Sequence, residues 1–247
     1  MTVSPAPVEG IVTTAGTAAA PPGCPVLAAP PETGLYLHWD GEALALCRAT
    51  PPRLRLVLDP AATSLGRRGR QASAGNEHIA RACGLRGGGT PRIIDATAGA
   101  GRDAGLLAGL GAQVTMVERS PIVAALLSDA LRRAGTAPAT APVAARLALV
   151  TGEAAAYLDS HTADIVYLDP MYDAGRRKAL AGKEMQLLQA LLGPDTDADA
   201  LLDAARGAAT QRVVVKRHRH APPLAGRRPH HSLTGRSTRF DVYLPTG

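Results

Sequence analysis

Apolar and polar positions change their period twice along this chain. Residues 1–33 show no period: Pro5, Pro7, Pro21, Pro22, Pro25, Pro30 and Pro31 interrupt an Ala- and Thr-rich stretch. That composition predicts a flexible or loosely packed leader. Three short strand-like runs follow, Leu35–Trp39, Ala43–Arg48 and Leu54–Leu58, separated by the turn signals Asp40-Gly41 and Pro51-Pro52. They predict a small antiparallel β meander which, with a basic linker, forms a subdomain over 34–74. So little sheet is not stable by itself and has to pack on a larger body.

From residue 75 to 247 helix and strand periods alternate. Helices are expected over Asn76–Cys83, Arg102–Leu110 (closed by Gly111), Lys183–Leu192 and Ala198–Ala209. Another opens at Ser120, a good N-cap with Pro121 at the first helical position, and runs to about Arg133. The strands are Arg92–Thr97, Gln113–Glu118, Arg146–Val150, Asp164–Leu168 and Arg212–Lys216, with a closing hairpin from Ser232–Leu233 and Arg239–Leu244. Alternation of this kind implies the α/β class: a mostly parallel, seven-stranded sheet covered on both faces, with a C-terminal antiparallel hairpin.

Length and composition agree with one large domain and a small appendage. The chain has 247 residues, 46% of them hydrophobic, enough for a full core. With one Phe and one Trp, it has few rings on which to stack a run of bases, which counts against a single-strand coat protein. The formal net charge is +6, and the basic residues are grouped: Arg67, Arg68 and Arg70; Arg176, Arg177 and Lys178; Lys216, Arg217 and Arg219; Arg227 and Arg228. Net charge alone fits many proteins, but grouped cations favour contact with the phosphates of a polyanion. Arg176, Arg177, Lys178, Lys216 and Arg217 are the phosphate-contact candidates, and the RNA-contact ones should the polyanion be RNA.

Cys24, Cys47 and Cys83 are odd in number and far apart, so neither a disulfide framework nor a zinc site is indicated. His218/His220 and His230/His231 lie among Arg and Pro without a carboxylate partner and read as basic surface; no metal is expected. No secretory signal and no apolar run of membrane-spanning length is present, which points to a cytoplasmic protein.

Two motifs carry the chemistry. Asp95-Ala96-Thr97-Ala98-Gly99-Ala100-Gly101-Arg102-Asp103 sits at a strand-to-helix junction, where Gly99 and Gly101 let the backbone turn tightly and approach a nucleotide. Glu118 ends the following strand, where a carboxylate can accept hydrogen bonds from both hydroxyls of an adenosine ribose. A glycine-rich structural turn with a solvated Glu would explain either feature alone, and the loop also fits a dinucleotide fingerprint. Thr151-Gly152-Glu153-Ala154 after the third strand is a weaker element. It could be an ordinary helix start with a favourable acid, or Glu153 and Ala154 could meet the adenine.

The second motif is Asp169-Pro170-Met171-Tyr172 at the carboxyl end of the strand Asp164–Leu168. It resembles the D/N-P-P-Y/F signature of amino-directed nucleic-acid methyltransferases, with Met171 in place of the second proline. An exocyclic base amine is a poor nucleophile because its lone pair is delocalised into the ring. Asp169 and the carbonyl of Pro170 could accept its two hydrogens, and Tyr172 could stack on the extruded base. Catalysis then consists mostly of alignment.

Taken in order, DATAGAGRDA (95–104), VERSPIVAALL (117–127), VYLDPMY (166–172), KEM (183–185), GPDTDAD (193–199), RVVVKR (212–217) and RFDVY (239–243) resemble the bacterial small-subunit ribosomal RNA guanine-N2 methyltransferases of the RsmJ type. The resemblance runs from about residue 35 to the end. It implies a Rossmann-like S-adenosylmethionine-dependent methyltransferase fold and methyl transfer to N2 of a guanine in 16S RNA, within rRNA processing and ribosome biogenesis. S-adenosylhomocysteine is the implied product, and 16S rRNA or the small ribosomal subunit the implied partner. Carried over by position, cofactor contacts fall on Arg102, Asp103, Glu118, Arg119, Glu153, Ala154 and Asp169. The Gly66–Arg70 stretch is also similar, but the glycine-rich run expected after it is absent at Ala72–Asn76.

Three alternatives stay open at this level. The amine could be adenine N6 in RNA or DNA, since both amines need the same two acceptors. The glycine loop could serve an NAD-dependent oxidoreductase, or the chain could be a non-catalytic RNA-binding module.

Overall fold

A computed structural model describes residues 6–14, 20–65, 73, 75, 77–85, 89–170, 183–193 and 198–246. The N-terminal part is a five-stranded sheet of β1 (Val8–Thr13), β2 (Val26–Leu27), β3 (Leu35–Trp39), β4 (Leu44–Arg48) and β5 (Leu54–Leu56), in the order β2-β1-β3-β4-β5. The antiparallel meander is β3–β4–β5. The leader, however, is not wholly loose as expected: β1 pairs in parallel with β2 and β3, and Ile11 is buried. The physical reason is that β1 draws its hydrogen bonds from two strands further along the chain, β2 and β3. A short Val/Ile run among prolines gives no local sign of such a partner.

Two short helices follow, α1 (Pro60–Leu65) and α2 (His78–Ala82). The main sheet then contains β6 (Arg92–Asp95), β7 (Gln113–Glu118), β8 (Leu147–Thr151), β9 (Ala163–Leu168), β10 (Ala209–His218), β11 (His231–Thr234) and β12 (Thr238–Tyr243), in the order β11-β12-β10-β9-β6-β7-β8. Strands β6 to β10 are mutually parallel, and β12 is antiparallel to both neighbours. The helices are α3 (Arg102–Gly109), α4 (Pro121–Thr136), α5 (Ala141–Ala144), α6 (Ala154–Leu158), α7 (Lys183–Leu192) and α8 (Ala198–Ala208). Ser120 caps α4, its Oγ accepting from the Val123 N–H at 3.4 Å. The unanticipated α1 and α5 are too short to show a helical period, while α6 is the helix start that Thr151–Ala154 allowed for.

The parallel strands sort their side chains cleanly. Ile93, Ile165, Tyr167 and Val214 face one core, shared with α3, α4 and the N-terminal sheet; Ile94, Val166, Val213 and Val215 face the other, with α8. The small sheet is fastened to α4. The Leu44 N–H donates to Asp129 Oδ2 at 3.0 Å, and Arg133 Nη2 donates to the Leu58 carbonyl at 2.6 Å. Helix α1 meets α3 so closely that a Cβ at Gly105 would lie 1.8 Å from the Pro60 carbonyl oxygen. Among the described residues, no helix is long and apolar enough to cross a membrane.

From β6, the chain fills the sheet outward on one side with β7 and β8, and on the other with β9 and β10. Between β6 and β9 the order reverses, and the crevice outside their carboxyl ends is where open α/β sheets bind ligands.

Candidate active site

The glycine loop leaves β6 at that crevice. Gly99 and Gly101 have φ of 51° and 69°, left-handed values that favour glycine. Gly101 is also sterically required: a Cβ there would lie 2.9 Å from Pro60 Cβ and 3.0 Å from Leu127 Cδ2. At Gly99 an added Cβ would have only the Thr97 carbonyl, at 3.8 Å, within reach, so the loop's outer side is open for close approach.

Glu118, at the tip of β7, is buried at 6% exposure. Its Oε2 accepts the Gly99 N–H at 3.0 Å and its Oε1 the Ser120 N–H at 2.8 Å, tying the loop to the start of α4. A carboxylate has about four acceptor sites, so these bonds orient the group and are compatible with a vicinal diol on its outer side. The Gly152 N–H donates to the Glu118 carbonyl at 2.9 Å. This brings the β8 tip alongside, with Glu153 exposed as the N-cap of α6 and Ala154 half-buried behind it. Arg102 and Arg119 are exposed on the same edge, and Asp103 is half-buried in the first turn of α3.

The acceptor side is organised by strand register. Asp95 pairs with Tyr167, and Tyr167 with Val214; Leu168 pairs with Val215, so Asp169 and Lys216 come next in adjacent strands. Alternation puts Asp95, Tyr167, Asp169 and Lys216 on one face, beneath the N-terminus of α3. There Lys216 Nζ donates to Asp103 Oδ2 and to Asp169 Oδ2, both at 2.7 Å. The Tyr167 hydroxyl donates to the same Asp103 oxygen at 2.7 Å, and the Asp169 N–H donates to Thr97 Oγ1 at 2.6 Å. Pro170 is buried directly behind Asp169.

Burial raises the pKa of Tyr167 well above its ordinary value, and neighbouring Asp103 and Asp169 push the same way, so it stays a hydroxyl donor. Burial also lifts Asp95 to about 8, against the Thr97 N–H that favours its anion. For Lys216, burial disfavours the charge, but Asp169 and Asp103 outweigh it and hold the ammonium above its usual range.

Two expectations are corrected. Lys216 is turned into this cluster and not out to a phosphate. Arg217 is 7% exposed, with Nε and Nη2 donating to the Pro222 carbonyl at 3.2 and 3.0 Å, and so is not presented to a polyanion. A strand alternates its sides, which a run of basic letters does not reveal. Tyr172, Arg176, Arg177 and Lys178 lie outside the described residues. Thr97 and Tyr167 were missed as site residues. Their signal was parity, since each stands two places from a residue already singled out.

The cradle fits an adenosine-type cofactor: an open glycine loop, an oriented carboxylate at the neighbouring strand tip and a third tip beside it. The comparisons agree. Residues 25–245 match the family model described as "Putative SAM-dependent methyltransferase". The ribosomal RNA small subunit methyltransferase J of Alkalilimnicola ehrlichii is 49% identical over 232 residues, covering 89% of this chain and 86% of that protein. The protein of the same name from Laribacter hongkongensis is 45% identical over 226 residues, covering 90% and 80%. A crystal structure of a SAM-dependent methyltransferase from Neisseria gonorrhoeae superposes with a TM-score of 0.77 at 37% identity, covering 96% of each chain. An NAD-dependent oxidoreductase is thereby set aside. The chain belongs to the S-adenosylmethionine-dependent methyltransferases of the ribosomal RNA small subunit methyltransferase J family.

Proposed function

We propose that this enzyme methylates the exocyclic N2 amine of a guanine in 16S ribosomal RNA, in the cytoplasm, with Asp169 as the principal acceptor for that amine. The observation that carries the assignment is the placement of Asp169 at the crevice, its N–H held by Thr97 of the cofactor loop at 2.6 Å. The relatives' names, which specify small-subunit ribosomal RNA, supply the substrate class.

Bound S-adenosylmethionine supplies a sulfonium-activated methyl group. What remains for the protein is orientation. Asp169 accepts one amine hydrogen and the Pro170 carbonyl the other, which turns the nitrogen lone pair out of conjugation and toward the methyl. Tyr172 stacks on the base. An amine nitrogen that gained the methyl from the donor sulfur would carry positive charge at N2. The Asp169 carboxylate stabilises that charge and takes the proton that N2 sheds. Gly99, Gly101, Arg102, Asp103, Glu118, Arg119, Glu153 and Ala154 hold the cofactor. Arg176, Arg177 and Lys178, shortly after the tetrapeptide in sequence, grip RNA phosphates.

The test is nucleoside mass spectrometry of 16S rRNA from cells lacking the protein, complemented with wild type or Asp169→Ala. Loss of one N2-methylguanosine, restored by wild type and not by a folded Asp169→Ala, is expected. An unchanged guanine pattern, or a missing N6-methyladenosine in its place, would refute the substrate. Full restoration by Asp169→Ala would refute the role of Asp169.

A further inference from the structure

We propose that Lys216 is a positioning residue for methyl transfer, clamping the acceptor carboxylate of Asp169 to Asp103 of the cofactor-side helix. This rests on the reading of Asp169 as the amine acceptor and adds to it a group that acts through Asp169 and Asp103.

Three features support it. First, the ammonium is shared evenly, 2.7 Å to each carboxylate, so it spans the donor and acceptor halves of the site. Second, only Oδ2 of Asp169 is engaged by it. A bond to one oxygen fixes the carboxylate plane and directs the other oxygen, while the Thr97 bond fixes the backbone beneath. Third, both ends of the clamp are anchored: the Tyr167 hydroxyl holds the same Asp103 oxygen at 2.7 Å, and Lys216 lies within β10, in register with β9. A surface lysine seeking phosphate has no such constraint. Here the side chain is 29% exposed and its donors are directed inward.

The clamp also sets charge. A cation beside Asp169 favours its ionised, accepting form. The titratable groups sharing this space are Asp95 on β6, Asp103 on α3, Tyr167 and Asp169 on β9 and its end, and Cys83 just after α2. Removing the cation from among these carboxyls raises the pH needed to ionise Asp169.

The experiment is methylation of unmodified small subunits by wild type, Lys216→Met, Lys216→Gln, Lys216→Arg and Asp169→Asn. It reads kcat, KM for RNA, S-adenosylhomocysteine affinity and the pH–rate profile. Lys216→Met is expected to lose about 100-fold in kcat, the scale of a misplaced reacting group. Its RNA KM and S-adenosylhomocysteine affinity should stay within about threefold, and its acid limb should move up by about one pH unit. Lys216→Arg should recover part of the rate. Lys216→Gln keeps a donor without the charge and decides the matter should the Met variant not fold: it should show the shifted acid limb. Three results would overturn the clamp. One is wild-type kcat and pH profile in Lys216→Met or Lys216→Gln. Another is a raised RNA KM with weakened salt dependence and intact kcat, which would make Lys216 a phosphate contact. The third is a loss confined to cofactor affinity. If Asp169→Asn is inactive while the Lys216 variants are fully active, the clamp alone fails. If Asp169→Asn is fully active, the underlying reading of Asp169 fails.

Discussion

Replacing Glu118 by Gln keeps its length and volume but exchanges one acceptor oxygen for an NH2 donor. Both oxygens are in use, Oε2 by the Gly99 N–H at 3.0 Å and Oε1 by the Ser120 N–H at 2.8 Å. Whichever way the amide turns, one of these backbone donors faces another donor. The residue is 6% exposed, so water cannot readily repair the mismatch. A buried polar group left unsatisfied costs about 1–3 kcal/mol, and losing a negative charge near the first turn of α4 adds about 0.3–1 kcal/mol. Together these come to about 1–4 kcal/mol, or a melting temperature lowered by about 3–16 °C for a chain of this size. A second loss falls on the ligand: a charge-assisted bond to a ribose hydroxyl is worth about 1.5–3 kcal/mol, so S-adenosylhomocysteine should bind about 10–100-fold more weakly. Thermal melts with and without S-adenosylhomocysteine, alongside calorimetric titration, read both effects. A melting temperature within a degree or two of wild type would refute the bonding scheme. A lowered melt with unchanged affinity would leave Glu118 a purely structural link and remove it from the cofactor site.

Other positions extend the test. Gly105→Ala forces a Cβ to within 1.8 Å of the Pro60 carbonyl oxygen; a loss of about 3 kcal/mol in urea unfolding is expected, and a loss below about 0.5 kcal/mol would contradict the α1–α3 packing. Asp95 has a folded pKa of about 8, above its ordinary 3.8, so the folded state keeps a proton that the unfolded chain has released across that window. Its contribution to stability is therefore complete below the lower value and declines as pH rises toward the higher one, by up to about 1.4 kcal/mol per unit. Asp95→Asn should become progressively more stable relative to wild type between pH 5 and 8; a flat difference would show that Asp95 is already ionised in the fold. Arg176→Ala with Arg177→Ala should weaken RNA binding and reduce its log–log salt slope by about 0.7–0.9 per lost phosphate contact. An unaltered slope would exclude those contacts.

Much of the fold was legible in the sequence because it is locally encoded. The strand Gln113–Glu118 and the helix Lys183–Leu192 fall where their periods place them, and Ser120-Pro121 opens α4 as capping chemistry requires. The glycine loop, Glu118 and Asp169 were legible too, because residues at strand tips of a parallel sheet converge on one edge whatever surrounds them. Tertiary structure decided what depends on partners distant in the chain. The strand Val8–Thr13 depends on the ladders that Val26–Leu27 and Leu35–Trp39 offer it, and its short Val/Ile run does not by itself announce those partners. Lys216 and Arg217 look alike as adjacent cations. Strand alternation turns the first toward Asp103 and Asp169 and the second onto the Pro222 carbonyl, and no count of charges could separate them. Composition gave the sign of the charge; which face each cation occupies was set by the register of β10 against β9.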